Sequence, residues 1–144
     1  NALGQWIVSE ILQRPEFPLY LEHTRQSYKH KLDVMLAAIR DYWPATIRVQ
    51  PPMGGMHLWC RLPGEIRART LLREAAQVQV TFMIGTPFHV DGGGHHYMRL
   101  GFASLSEDEI VEGIRRIGVA LERLLARRTA SDEDTRPIER LPMI

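Results

Sequence analysis

The chain has 144 residues, one domain's worth, with 44% hydrophobic and 24% charged residues, which excludes a disordered or collagen-like polymer and predicts a buried core. Eighteen Lys and Arg against seventeen Asp and Glu leave a net charge of +1, so no overall field draws nucleic acid or an anionic membrane and DNA binding by this piece alone is not expected. No apolar run reaches the roughly 18 residues needed to span a bilayer, the start lacks a signal-peptide pattern, and the single cysteine, Cys60, excludes an internal disulfide, so a cytoplasmic setting is expected.

The chain opens without Met on Asn1 and enters helix-like sequence at once, so a piece of a longer protein is expected. Residues 2–13 hold Leu3, Ile7, Ile11 and Leu12 at helical spacing, and Pro15 ends that helix because the residue before proline avoids the α region. From Pro18 to about Trp43, Leu21, Arg25, Tyr28, Leu32, Met35, Ile39 and Tyr42 recur at alternating steps of four and three, predicting a helix of about 37 Å. That length outreaches a small domain and predicts a bridge to something beyond it.

Two alternating runs follow, Thr46 to Gln50 and Met56 to Leu62, joined by Pro51-Pro52-Met53-Gly54-Gly55 as a hairpin with an irregular connection. Ala68, Leu71, Leu72 and Ala75 mark a helix of three turns. Val78, Val80, Phe82 and Ile84 then alternate as a third strand, and Met98, Leu100 and Phe102 as a fourth. The last helix starts at a capping box, Ser106 and Glu109, stapled by Leu105 and Ile110, and is expected to run to about Arg127. The predicted class is α+β: a ββαββα antiparallel sheet covered by helices and preceded by a long helix. Residues 1–126 form the domain, with 1–43 its leading helices, and 127–144, polar and broken by Pro137 and Pro142, read as a flexible tail.

Arg99 is the strongest candidate for chemistry. In an alternating strand it shares a face with Tyr97 and Gly101 while Met98, Leu100 and Phe102 point to the core, and its planar fork suits bidentate capture of a carboxylate or phosphate. The competing reading is a plain surface arginine. The glycine pair Gly54-Gly55 leaves backbone N–H groups approachable by a ligand, and Phe88 follows a strand-ending turn as a pocket wall. His89, Asp91, His95 and His96 invite a metal reading, but Gly92-Gly93-Gly94 makes their segment pliable and a solvated loop is expected instead. Cys60 lies on the apolar side of its strand and is expected to be an inert thiol. Sixteen of the basic residues are Arg, and the only lysines, Lys29 and Lys31, lie mid-helix among polar neighbours, poorly suited to Schiff-base work.

Four segments together carry a resemblance: Pro52-Met53-Gly54-Gly55-Met56-His57-Leu58-Trp59, then Val80-Thr81-Phe82 to Gly85-Thr86-Pro87-Phe88, then Met98-Arg99-Leu100-Gly101-Phe102-Ala103, then Ser106-Glu107-Asp108-Glu109-Ile110 to Gly113-Ile114. Over about residues 1–126 the chain resembles the C-terminal, smaller domain of class I/II aminotransferases, fold type I enzymes that use pyridoxal 5'-phosphate (PLP). The resemblance implies that Arg99 binds the substrate α-carboxylate, that Gly55 lines the substrate entrance, that Phe88 approaches the active site, and that the long helix is the interdomain helix. It also implies that the Schiff-base lysine and the PLP-holding residues lie upstream of the matched region, on a large domain of the same chain. The fragment alone would then neither hold PLP nor transaminate, its parent would be a homodimer, and its ligand an amino acid.

Within that family the Gly54–Trp59 and Arg99–Ala103 wording most resembles the aminotransferase-like, effector-sensing domains of MocR-type regulators of the GntR family, in which DNA is bound by a separate winged helix-turn-helix. Similar wording occurs in 2-aminoadipate-type transaminases, the alternative reading. A third reading is a stand-alone α+β interaction module. It predicts an internal salt bridge for Arg99 and a long helix folded back over its own sheet, covering Leu21, Tyr28 and Met35.

Overall fold

The computed structural model describes residues 1–134, with side chains to 127. Helix α1, Ala2–Leu12, is capped by Asn1, whose side-chain oxygen accepts the Gly4 N–H at 3.2 Å. Helix α2, Phe17–Tyr42, begins with Pro18 in its first turn and stops at Trp43, held extended as a residue before proline must be. At 26 residues it is about 39 Å long. Only its second half is fully covered: Met35, Ala38 and Ile39 are buried, Tyr28 is half-buried with its ring edge-on to Phe102 at 6.5 Å, and Leu21 is half-buried. The cover predicted by the interaction-module reading is therefore complete at Met35 and partial at Leu21 and Tyr28.

Four short strands form one antiparallel sheet in the order β1-β2-β4-β3: β1 Arg48–Val49, β2 His57–Arg61, β3 Met83–Ile84 and β4 Tyr97–Gly101. Helices α3, Ala68–Gln77, and α4, Glu107–Asp134, complete the predicted ββαββα order. Leu58, Cys60, Met98 and Leu100 point to one side of the sheet and join Leu71, Ile110, Ile117 and Leu121 of the helices in a single core. Met56, expected on that same face, is exposed ahead of β2.

The third strand is shorter than predicted. Residues 78–80 are taken up in closing α3: Gln79 adopts φ 60°, its N–H reaches the Ala76 carbonyl at 3.1 Å, and the Val80 N–H returns to Ala75 at 3.0 Å. This is a left-handed helix stop made without the usual glycine, so the strand begins only at Met83. The alternating burial survives, because Val80 and Ile84 still pack against the core and Phe82 is within it.

The capping box forms as predicted. The Ser106 N–H donates to Glu109 Oε2 at 2.8 Å, and the Glu109 N–H to Ser106 Oγ at 3.3 Å. Helix α4 runs past Arg127 to Asp134, since each added residue gains a backbone hydrogen bond and no glycine or proline intervenes. The rest of the expected tail, 135–144, lies outside the described residues. Where α2 crosses α4, the Trp43 indole donates to the Ile114 carbonyl at 2.8 Å, and a Cβ on Gly118 would stand 2.5 Å from the Tyr42 carbonyl oxygen. Glycine there is what lets the two backbones touch. No helix among the described residues is long and apolar enough to cross a membrane.

Candidate functional site

The residues of β2 and β4 that do not face the core build a second surface on the opposite side of the sheet. Direct pairing sets Arg99 between Trp59 of β2 and Met83 of β3, and Tyr97 beside Arg61. Opposed residues in an antiparallel sheet share a face, so these side chains form two cross-strand rows. Arg61 lies with its guanidinium carbon 5.9 Å from the Tyr97 ring centroid. The predicted facing of Arg99, Tyr97 and Gly101 away from Met98 and Leu100 is therefore observed.

A 3-10 turn, Thr86–Phe88, brings one further ring onto this face. The guanidinium carbon of Arg99 lies 4.3 Å from the Phe88 ring centroid. Phe88 in turn meets Trp59 edge-on, with centroids 5.3 Å apart and planes at 90°, and Trp59 meets Tyr97 at 6.5 Å. The turn is held by close backbone contact. The Gly85 N–H donates to the Tyr97 carbonyl at 2.7 Å, and a Cβ on Gly85 would stand 2.6 Å from the Gly94 carbonyl oxygen. Gly94 is itself buried, with φ +76°. The triple glycine is thus not simply a pliable solvated loop, because its last member packs against Gly85.

Arg99 is half-buried and, among the described residues, its side chain has no hydrogen bond and no ion pair; its Nε is fully buried without a partner. The internal salt bridge that the interaction-module reading requires is absent from that set. A charged fork without an internal acceptor has the chemistry to take an anion through its terminal N–H groups.

Gly55, with φ +89° and nothing within 4 Å of a built Cβ, lies elsewhere. It borders a groove of about 570 Å³ between α2 and the Pro51–Met56 segment, lined by Tyr28, Leu32, Met53 and Phe102 among others and not by Arg99 or Phe88. The structure thus brings Arg99 and Phe88 together and leaves Gly55 in a separate concavity. The sequence pattern by itself does not mark Trp59 as a neighbour of Arg99. Alternation along β2 already turned it away from Leu58 and Cys60, but only the strand register puts it opposite Arg99.

The remaining candidates are structural. No cluster of three metal-binding side chains occurs among the described residues: His96 Nδ1 lies 2.9 Å from the Ile66 carbonyl, and His89 Nδ1 lies 3.8 Å from Asp91. Asp91 instead accepts the Gly93 N–H at 3.0 Å, which lowers its pKa. Burial pushes the Cys60 thiol up to about 12, so it is inert at neutral pH. The lysines do not fit an imine with a cofactor aldehyde. Lys29 is ion-paired with Asp33 at 3.0 Å, and the Lys31 ammonium donates to the Ala103 carbonyl at 2.9 Å.

The family model for aminotransferase class I and II matches residues 1–117. A 2-aminoadipate transaminase of Thermus thermophilus is 40% identical over 124 residues, which are 86% of this chain and 31% of that protein. The crystal structure of α-aminoadipate aminotransferase from the same species, complexed with N-(5'-phosphopyridoxyl)-L-leucine, aligns with a TM-score of 0.80 at 40% identity, over 87% of this chain and 32% of that one. An uncharacterised HTH-type transcriptional regulator of Escherichia coli is 26% identical over 106 residues, 74% of this chain and 23% of that protein. The transaminase likeness is the stronger, which reverses the preference drawn from motif wording. The chain spans about a third of the length of the curated relatives it matches.

Proposed function

The chain belongs to the class I and II aminotransferase family, and on that premise we propose that it is the small domain of a PLP-dependent amino-acid transaminase, supplying the half of the site that holds the substrate's α-carboxylate. The single observation that carries this reading is Arg99: a guanidinium seated on a rigid strand, with a buried Nε and no internal partner among the described residues. Its fork takes a carboxylate through two parallel N–H donors, a geometry that lysine cannot reproduce. Gly101, two residues along the same face, has no side chain, and the His57 ring lies over it, 3.6 Å from where a Cβ would stand.

Binding the carboxylate at a fixed point orients the rest of the amino acid, and that orientation is the contribution of this domain to rate. The cofactor, when bound in the parent protein, supplies the electron sink for the chemistry at the amino-bearing carbon. Neither lysine of this chain is placed for it, so the cofactor is assigned to the remaining two-thirds of a protein of the relatives' length. The parent is proposed to be a homodimer.

In the parent protein, Arg99→Ala should weaken amino-acid binding by several kcal/mol while PLP attachment persists. Arg99→Lys should recover only part of that loss, because the charge returns without the fork. Unchanged affinity in both variants would remove the assignment. The sensing domain of a transcriptional regulator is the second reading, supported by the regulator relatives. It shares the same carboxylate clamp and differs in what the parent carries before it: a winged helix-turn-helix favours the regulator.

A further inference from the structure

We infer that Phe88, braced by Trp59, is a positioning residue for Arg99: its ring holds the guanidinium in the place from which its terminal N–H groups donate to a carboxylate. The inference rests on the proposed role of Arg99 and adds to it the means by which that side chain is held. Arginine has four rotatable side-chain bonds and is normally fixed by the hydrogen bonds it makes. Arg99 has none among the described residues, and its Nε is buried. What it touches instead is an aromatic face, with Cζ 4.3 Å from the Phe88 centroid. A ring face attracts a cation without consuming its N–H donors, so the terminal Nη1 and Nη2 groups, which lie in the guanidinium plane, stay available to a ligand although Nε is buried. A carboxylate partner would have fixed the same side chain but neutralised it.

Phe88 is in turn fixed by its neighbours. Trp59 abuts it at 90° and 5.3 Å, and the turn that bears it follows Gly85, whose contact with Gly94 and Tyr97 leaves no space for a side chain. Three elements therefore take part in the arrangement: β4, which carries Arg99, the 3-10 turn, whose Phe88 meets the guanidinium, and β2, whose Trp59 braces Phe88.

The test is kinetic and uses the parent holoenzyme. Phe88→Leu keeps an apolar side chain but removes the ring face. We expect KM for a carboxylate-bearing amino acid to rise about tenfold, with Phe88→Tyr restoring it, while turnover of the corresponding amine lacking the carboxylate is unchanged. Equal losses on both substrates would mean that Phe88 has only a structural role and would overturn the inference. A series of fluorinated phenylalanines at position 88 provides the second arm, since it keeps the ring's shape and drains its negative face stepwise. KM should climb with fluorination, and a flat series would also overturn the inference. Failure of the underlying reading looks different: there Arg99→Ala itself leaves KM unmoved. If Arg99→Ala raises KM and neither Phe88 arm does, the clamp stands and its aromatic positioning does not.

Discussion

Phe88 lies in the β3–β4 connection and Arg99 in the middle of β4, yet the ring of one sits 4.3 Å from the guanidinium carbon of the other. The contact exists because the chain between them is pinned where Gly85 meets Gly94 and the Tyr97 backbone. An arginine stacked this way keeps its charge and its donors, whereas one in an internal ion pair would have neither to offer.

Because that pin is steric, Gly85→Ala should disturb both stability and the site. The added Cβ would meet the Gly94 carbonyl oxygen at 2.6 Å and Tyr97 Cβ at 2.7 Å, in a place where backbone rather than a flexible side chain must give way. Overpacking of this kind costs about 1–3 kcal/mol. Urea unfolding should show the loss, and a midpoint equal to that of the parent sequence would contradict it.

Two glycines of α4 make a matched pair. Alanine at Gly118 would place Cβ 2.5 Å from the Tyr42 carbonyl oxygen, so the helices must part and strain the Trp43 to Ile114 hydrogen bond, at a cost of about 1–3 kcal/mol despite alanine's better helix propensity. Alanine at Gly113 would meet nothing within 4 Å and should stabilise by about 0.5–1 kcal/mol. Thermal melts of the two variants should therefore move in opposite directions. A shift of the same sign in both would refute the close crossing.

Glu112 sets an acid-side dependence. Hydrogen bonds from Arg115 at 2.7 Å, then from Arg116 at 2.6 Å, hold its carboxyl at about 2 against an ordinary value of 4.5. The folded value is the lower one, so the stabilisation is present above about pH 4.5 and is lost as the pH falls from there toward 2. Glu112→Gln should be less stable than the parent sequence at neutral pH, with the difference closing over that window. It should also shrink in high salt, because the pair is exposed to solvent. A difference constant from neutral pH to pH 2 would contradict the assignment.

Much of this architecture follows from the sequence alone. Period and parity determine α2, the faces of β2 and β4, the capping box of α4 and the outward aim of Arg99, because each depends only on residues near in the chain. The four family motifs belong to the same level. What tertiary structure alone decided is which outward residues meet. Trp59 stands beside Arg99 through strand register, Phe88 reaches it through the contact of Gly85 with Gly94, and Gly118 is needed because Tyr42 arrives from another helix. Gln79 closes α3 in a left-handed conformation and shortens β3, with no glycine to announce it. Alternation says which side a residue faces; its neighbours there are chosen by packing between segments far apart in sequence, and local pattern does not encode that.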